Sequence, residues 1–137
     1  MEDKTQNKSG TELFRILIVD DSRATRVVLR TLMTEFGFDV TEAPDGTAAL
    51  QTIGAKNPFK LLIVDWQMPG MTGVDFVRQF RAKYPEAASV PIIMNTIMED
   101  ADSIAQALEA GATDYVMKPF SRDVFASKLQ VLGIKIK

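Results

Sequence analysis

The sequence predicts a doubly wound α/β domain, a parallel sheet with helices on both faces. Short apolar runs recur along the 137 residues, each stopped by acidic, polar or glycine-containing turns. Between them lie longer stretches with apolar residues at helical spacing, so one β-α unit repeats five times with short connections. The run Leu61 to Val64 is four apolar residues long, which suits a strand buried on both faces better than a helix.

Met1 to Glu12 is polar and reads as a mobile tail (residues 1–12), with the domain over 13–132 and a short C-terminal tail over 133–137. Phe14 to Val19 is the first strand. Asp20-Asp21-Ser22 ends it and can cap a helix over about Arg23 to Phe36, with Val27, Val28, Leu32 and Phe36 as inner positions. Gly37 closes that helix, and Phe38 to Glu42 is a second strand. Asp45-Gly46 turns into a second helix ending near Gly54, and Asn57-Pro58 leads to the central strand. After a turn at Pro69-Gly70, Val74 to Tyr84 is a helix facing inward through Phe76, Val77 and Phe80, stopped by Pro85. Pro91 to Asn95 is the fourth strand. A helix from about Glu99 to Ala110 follows, its early acidic residues suited to the helix dipole, and Gly111 ends it. Asp114 to Met117 is the fifth strand, and Ser121 caps a last helix to about Leu132.

Composition excludes several chemistries. The chain has no cysteine, which removes disulfides and thiol catalysis and fits a cytoplasmic protein. It has no histidine, which removes His-dependent triads, His-ligated zinc and any phosphohistidine role. A net charge of −2 gives no electrostatic case for nucleic-acid binding, and no apolar run is long enough to insert in a membrane. Neither Gly-x-Gly-x-x-Gly nor a Walker A motif is present. What remains is oxygen-ligand chemistry.

That chemistry concentrates at the strand ends. The long apolar strands are followed by Asp20-Asp21, Asp65, Thr96 and Lys118. In a doubly wound sheet the C-terminal strand ends share one edge, so these residues should converge. Three carboxylates together are tolerable only with a cation, and hard oxygen ligands that leave positions to water suit Mg²⁺ best. With a lysine and a threonine hydroxyl beside it, Asp65 could become a phosphorylated nucleophile without a histidine base. Singly, each residue has a plainer role: a helix cap at Asp20-Asp21-Ser22 or Thr96, a turn carboxylate at Asp65, a surface charge at Lys118, a core aromatic at Tyr115. The set, in order at four strand ends, is what speaks against those roles.

From Phe14 to Leu132 the chain resembles the receiver domains of two-component response regulators, the CheY-like family. Matching residues are Asp20-Asp21, Asp65 with Met68-Pro69-Gly70, Thr96, Tyr115 and Lys118-Pro119. The resemblance implies a (βα)5 flavodoxin-like fold of strand order 2-1-3-4-5, for which CheY is a standard example. It implies Mg²⁺ held by Asp21 and Asp65, by Asp20 largely through water, and by the backbone carbonyl of Gln67. Lys118 would pair with a phosphoryl oxygen, with a cis bond to Pro119. Thr96 and Tyr115 would be the switch, biasing the face of helix four, strand five and helix five. The expected partners are a sensor histidine kinase or histidine phosphotransfer protein as phosphodonor, and a downstream target protein. The domain would be a switch that catalyses only its own phosphorylation and dephosphorylation.

Departures from the family pattern matter too. Ile97 follows the switch threonine where a small residue is usual, and should restrict access to the phosphoryl site. Gln67 and Met98 occupy the neighbouring variable positions; Met98 offers hydrolytic water no hydrogen bond, which favours a persistent phosphoryl group. Asn95 is polar where the strand is usually apolar, with no account from sequence. Helix four has no Lys or Arg, which argues against a dimer built on cross-subunit salt bridges there. A haloacid-dehalogenase-type hydrolase would want an aspartate where Gln67 stands. A flavodoxin-like FMN binder would want a Ser/Thr/Gly-rich first loop where Asp20-Asp21 would repel phosphate. No output domain is expected after Leu132, whether the chain acts alone or belongs to a longer regulator.

Overall fold

Five apolar segments become five parallel strands because each is flanked by a capped helix that returns the chain to the same edge. The computed structural model describes residues 14–137; the proposed tail over 1–12 lies outside the described residues. The strands are β1 (Arg15–Val19), β2 (Asp39–Ala43), β3 (Leu61–Asp65), β4 (Ile92–Thr96) and β5 (Asp114–Met117). They alternate with α1 (Arg23–Glu35), α2 (Gly46–Ile53), α3 (Gly73–Lys83), α4 (Ala101–Ala110) and α5 (Arg122–Val131). The sheet order is β2-β1-β3-β4-β5, as the family resemblance implies, with all pairings parallel.

Alternation along the strands divides the core in two. Leu17, Val19, Leu62, Val64, Ile92 and Met94 pack against α2, α3 and α4. Ile16, Ile18, Leu61, Ile63, Ile93 and Val116 pack against α1 and α5. Each α-helix starts at a side chain accepting the N–H three residues on: Ser22, Asp45, Thr72, Asp100 and Ser121. Asp100 therefore caps α4, which begins at Ala101 rather than near Glu99, and Thr96 is free of that duty.

Two expectations need correction or extension. The inner face of α1 is Leu29, Leu32, Met33 and Phe36, whereas Val27 and Val28 are 52% and 54% exposed. The buried stripe follows i, i+3, i+4, i+7 from Leu29, and that phase leaves both valines outside it. The last five residues, read as a tail, fold back: Ile134 is buried in the α1/α5 core, and the Lys137 N–H donates to the Phe36 carbonyl at 2.9 Å.

Arg81 closes the end of the sheet remote from the site. Its guanidinium donates to the carbonyls of Gly111 (3.1 and 2.9 Å), Ala87 (3.0 Å) and Val90 (2.7 Å), tying α3 to the end of α4 and the approach to β4. Among the described residues no helix is long and apolar enough to cross a membrane.

Candidate functional site

The strand ends meet as the topology requires. Asp20 directly follows β1, Asp65 ends β3, Thr96 ends β4, and Lys118 follows β5. Lys118 Nζ lies 3.1 Å from Asp20 Oδ2 and 3.2 Å from Asp65 Oδ1, joining residues 98 and 53 positions apart in the chain. Carboxylate oxygens of Asp20, Asp21 and Asp65 lie within 4.8 Å of one another. Asp20 and Asp65 are buried, and Asp21 is exposed at the opening. Asp21, Asp65, Gln67, Thr96, Ile97 and Lys118 line a cavity of about 270 Å³. A larger hollow of about 780 Å³ lies beside α5 and residues 133–136, but among the described residues lining it Asp123 is the only carboxylate.

The electrostatics follow from three acids crowding one ammonium. Burial, and then the charge of Asp20, push the Asp65 carboxyl from 3.8 up to about 6, against the lowering influence of Lys118. Burial alone would lower Lys118, but hydrogen bonds and charge interactions with Asp20 and Asp65 reverse this and hold it above the ordinary lysine range. The cluster carries surplus negative charge that a cation would relieve. An all-oxygen set of three carboxylates, two buried and one open to water, fits a hard divalent ion such as Mg²⁺.

The surrounding backbone is pinned. The Ser22 N–H donates to Asp20 Oδ1 at 2.9 Å, and Arg26 donates to the Asp20 carbonyl at 2.7 Å while its Nε reaches Glu42 at 3.1 Å. Gly73 opens α3 with its N–H 2.7 Å from the Trp66 carbonyl, and a Cβ there would stand 2.0 Å from the Asp65 carbonyl oxygen. Sequence reading passes over Arg26 and Gly73. An arginine one turn into α1 and a glycine just after a capping threonine are the only signals, and each gains meaning from the tertiary contact.

The other expected residues are placed as follows. Thr96 is buried and lines the cavity, but its Oγ1 accepts the Met98 N–H at 3.0 Å. Ile97 is 62% exposed on the rim, Gln67 is exposed beside it, and Met98 is half-buried. Tyr115 is half-buried on β5 and does not line this cavity; Lys128 Nζ lies 5.5 Å from its ring centre and 3.0 Å from Asp114 Oδ1. The Lys118–Pro119 bond is cis, as expected. Trp66, half-buried, directly follows Asp65.

Residues 16–130 match the sequence profile of the response regulator receiver domain. The chain belongs to that family. Similar relatives include the chemotaxis protein CheY of Pseudomonas aeruginosa, 41% identical over 117 residues, spanning 85% of this chain and 93% of the relative. Chemotaxis protein CheY1 of Helicobacter pylori is 37% identical over 121 residues, spanning 86% and 95%. Among solved structures, the chemotaxis response regulator CheY4 of Vibrio cholerae superposes with a TM-score of 0.81 at 30% identity, covering 88% of this chain and 99% of that one. A CheY-like receiver domain from Methanospirillum hungatei gives 0.78 at 28% identity, covering 89% and 95%. The protein is thus a receiver domain of a two-component system, and its buried acidic cluster is consistent with a phosphoacceptor site. Receiver domains take phosphate from histidine kinases, act on downstream targets, and work in general as switches rather than enzymes.

Proposed function

We propose that residues 13–132 form a cytoplasmic switch phosphorylated on Asp65. The supporting observation is the meeting of Asp20, Asp21 and Asp65 within 4.8 Å, with Lys118 bonded to two of them at the mouth of a cavity. An Asp65 oxygen attacks the phosphorus of a phosphohistidine on a sensor kinase or phosphotransfer protein. The P–N bond breaks with its electron pair left on the imidazole nitrogen, which takes a proton from solvent, and Asp65 becomes an acyl phosphate. Asp20, Asp21, Asp65 and the Gln67 backbone carbonyl would hold Mg²⁺, which when bound supplies charge neutralisation at the phosphoryl oxygens.

This chain's own residues do the rest. Lys118 offsets the charge of the incoming group, and the Ser22 and Arg26 bonds hold the Asp20 turn in place. Thr96 would leave its bond to the Met98 N–H to reach the phosphoryl group, and Tyr115 would turn inward, giving up its position beside Lys128. That rearrangement alters the face of α4, β5 and α5 for a downstream target protein. Transfer and later hydrolysis, in which water attacks the phosphorus and releases phosphate and the carboxylate, are self-catalysed by this same set. Ile97 on the rim narrows access, and Gln67 and Met98 flank the path of water. The Met98 side chain offers that water no hydrogen bond, so the phosphoryl group persists.

Trp66 fluorescence tests the reading. Adding Mg²⁺, then acetyl phosphate or beryllofluoride, should change the signal in two steps, and Asp65→Asn should abolish the second. A wild-type protein whose fluorescence stays flat and which takes up no phosphate would refute it.

A further inference from the structure

Pairing of Val19 with Val64 sets Asp20 beside Asp65, Asp65 pairs with Asn95, and Asn95 with Val116, so the four form one lateral row across the sheet. Alternation sends all four side chains to the α1/α5 face, since Ile18, Ile63 and Ile93, two positions earlier, pack there together with Val116. Lys118, two residues past Val116, projects to the same face. Adjacent strands lie about 4.8 Å apart, so Asp65 and Val116 are separated by roughly 10 Å with β4 between them. Lys118 nevertheless reaches Asp65 at 3.2 Å and Asp20, one strand further, at 3.1 Å. Its side chain therefore crosses the sheet over Asn95.

Asn95 is fully buried, and neither its Oδ1 nor its Nδ2 has a hydrogen-bond partner among the described residues. An unpartnered buried amide is destabilising, and an aliphatic side chain like that of Ile93 would avoid the penalty. We propose that Asn95 is a positioning residue for Lys118, its Oδ1 accepting an ammonium N–H when the lysine leaves Asp20 for the phosphoryl group on Asp65. This rests on Asp65 being the phosphoacceptor.

The chemistry favours an amide here. The lysine ammonium has three N–H donors, and Asp20 and Asp65 engage two of them. Phosphorylation carries negative charge outward from Asp65, and an ammonium that follows it gives up Asp20. A neutral acceptor on its path keeps that donor satisfied without adding a fourth carboxylate to a cluster already rich in negative charge. Asparagine supplies the acceptor and omits the charge.

The test is a double-mutant cycle on the full chain with acetyl phosphate at saturating Mg²⁺. Asn95→Val should slow phosphorylation about tenfold in the wild-type background and by less than about twofold in Lys118→Met. If transfer in Lys118→Met is too slow to time, beryllofluoride affinity read through Trp66 gives the same comparison. Asn95→Val should melt higher than wild type, which separates the effect from unfolding, and its Mg²⁺ affinity should be unchanged. Asn95→Thr, with the shape of valine and an oxygen acceptor restored, should recover part of the rate. A wild-type rate in Asn95→Val, or equal slowing in both backgrounds, overturns the inference and leaves the Asp65 reading intact. A wild-type chain that takes no phosphoryl group overturns both.

Discussion

Replacing Asp65 with asparagine should stabilise the metal-free protein at neutral pH and leave it unchanged in acid. Burial and the charge of Asp20 raise the folded-state pKa of Asp65 from 3.8 to about 6, despite Lys118. A carboxyl that holds its proton more tightly when folded makes stability fall as pH rises from about 4 through 6, with the whole penalty present above that. About two pKa units correspond to about 3 kcal/mol, and the solvent-facing mouth of the site screens this to about 1–2 kcal/mol. Asparagine keeps the shape and removes the charge, and Lys118 retains Asp20 at 3.1 Å.

The variant should therefore melt about 3–8 °C above wild type at pH 7.5 in EDTA. The two curves should converge toward pH 3, below the unfolded-state value of 3.8, where the wild-type carboxyl is protonated in both states. Melting curves of both proteins from pH 3 to 8 make the comparison. Adding Mg²⁺ should close the gap, because the wild type would gain RT ln(1 + [Mg²⁺]/Kd) through the proposed ligand that the variant has lost. A gap of equal size at pH 3 and 7.5, or a wild type that is the more stable at pH 7.5 without metal, would show that no charge penalty is stored at Asp65.

Substitutions at three further positions probe other parts of the structure. Gly73→Ala, whose Cβ would meet the Asp65 carbonyl oxygen at 2.0 Å, should destabilise by about 1–3 kcal/mol in melting experiments and also slow phosphorylation, since the displaced backbone belongs to the proposed acceptor. Arg81→Met should cost about 1–3 kcal/mol by stranding the carbonyls of Gly111, Ala87 and Val90, while Mg²⁺ affinity stays at the wild-type value; Arg81→Lys should recover only part, lacking the planar fork. Ile97→Ala, on the rim, should speed both phosphorylation by acetyl phosphate and loss of the phosphoryl group, and unchanged rates in both directions would dispose of its gating role.

How far the sequence could carry this depends on whether a feature is local or lateral. Strands and strand-end residues are local: an apolar run that stops at Asp20, Asp65 or Thr96 announces both the strand and the group at its edge. Helix existence is local as well, but phase is less so. Val27 and Val28 look like core by hydrophobicity, and only the stripe from Leu29 through Phe36, docked on Ile16 and Ile18, shows them outside it. Thr96 could have capped α4 on sequence grounds; competition from Asp100, nearer the helix and bonded to Ser103, decides otherwise. Lateral features depend on register. Asn95 is visible in the sequence as a polar residue in an apolar strand, yet its meaning needs β4 seated between β3 and β5 and a lysine stretched across it. Gly73 likewise acquires its necessity from a carbonyl eight residues earlier that returns to within a Cβ radius. A strand order of 2-1-3-4-5 makes neighbours of β1, β3 and β4, so it sets Asp20, Asp65 and Asn95 in one row. The two acids at one end of that row are the part the sequence announces, and the neutral amide between them and Lys118 is the part that only the row explains.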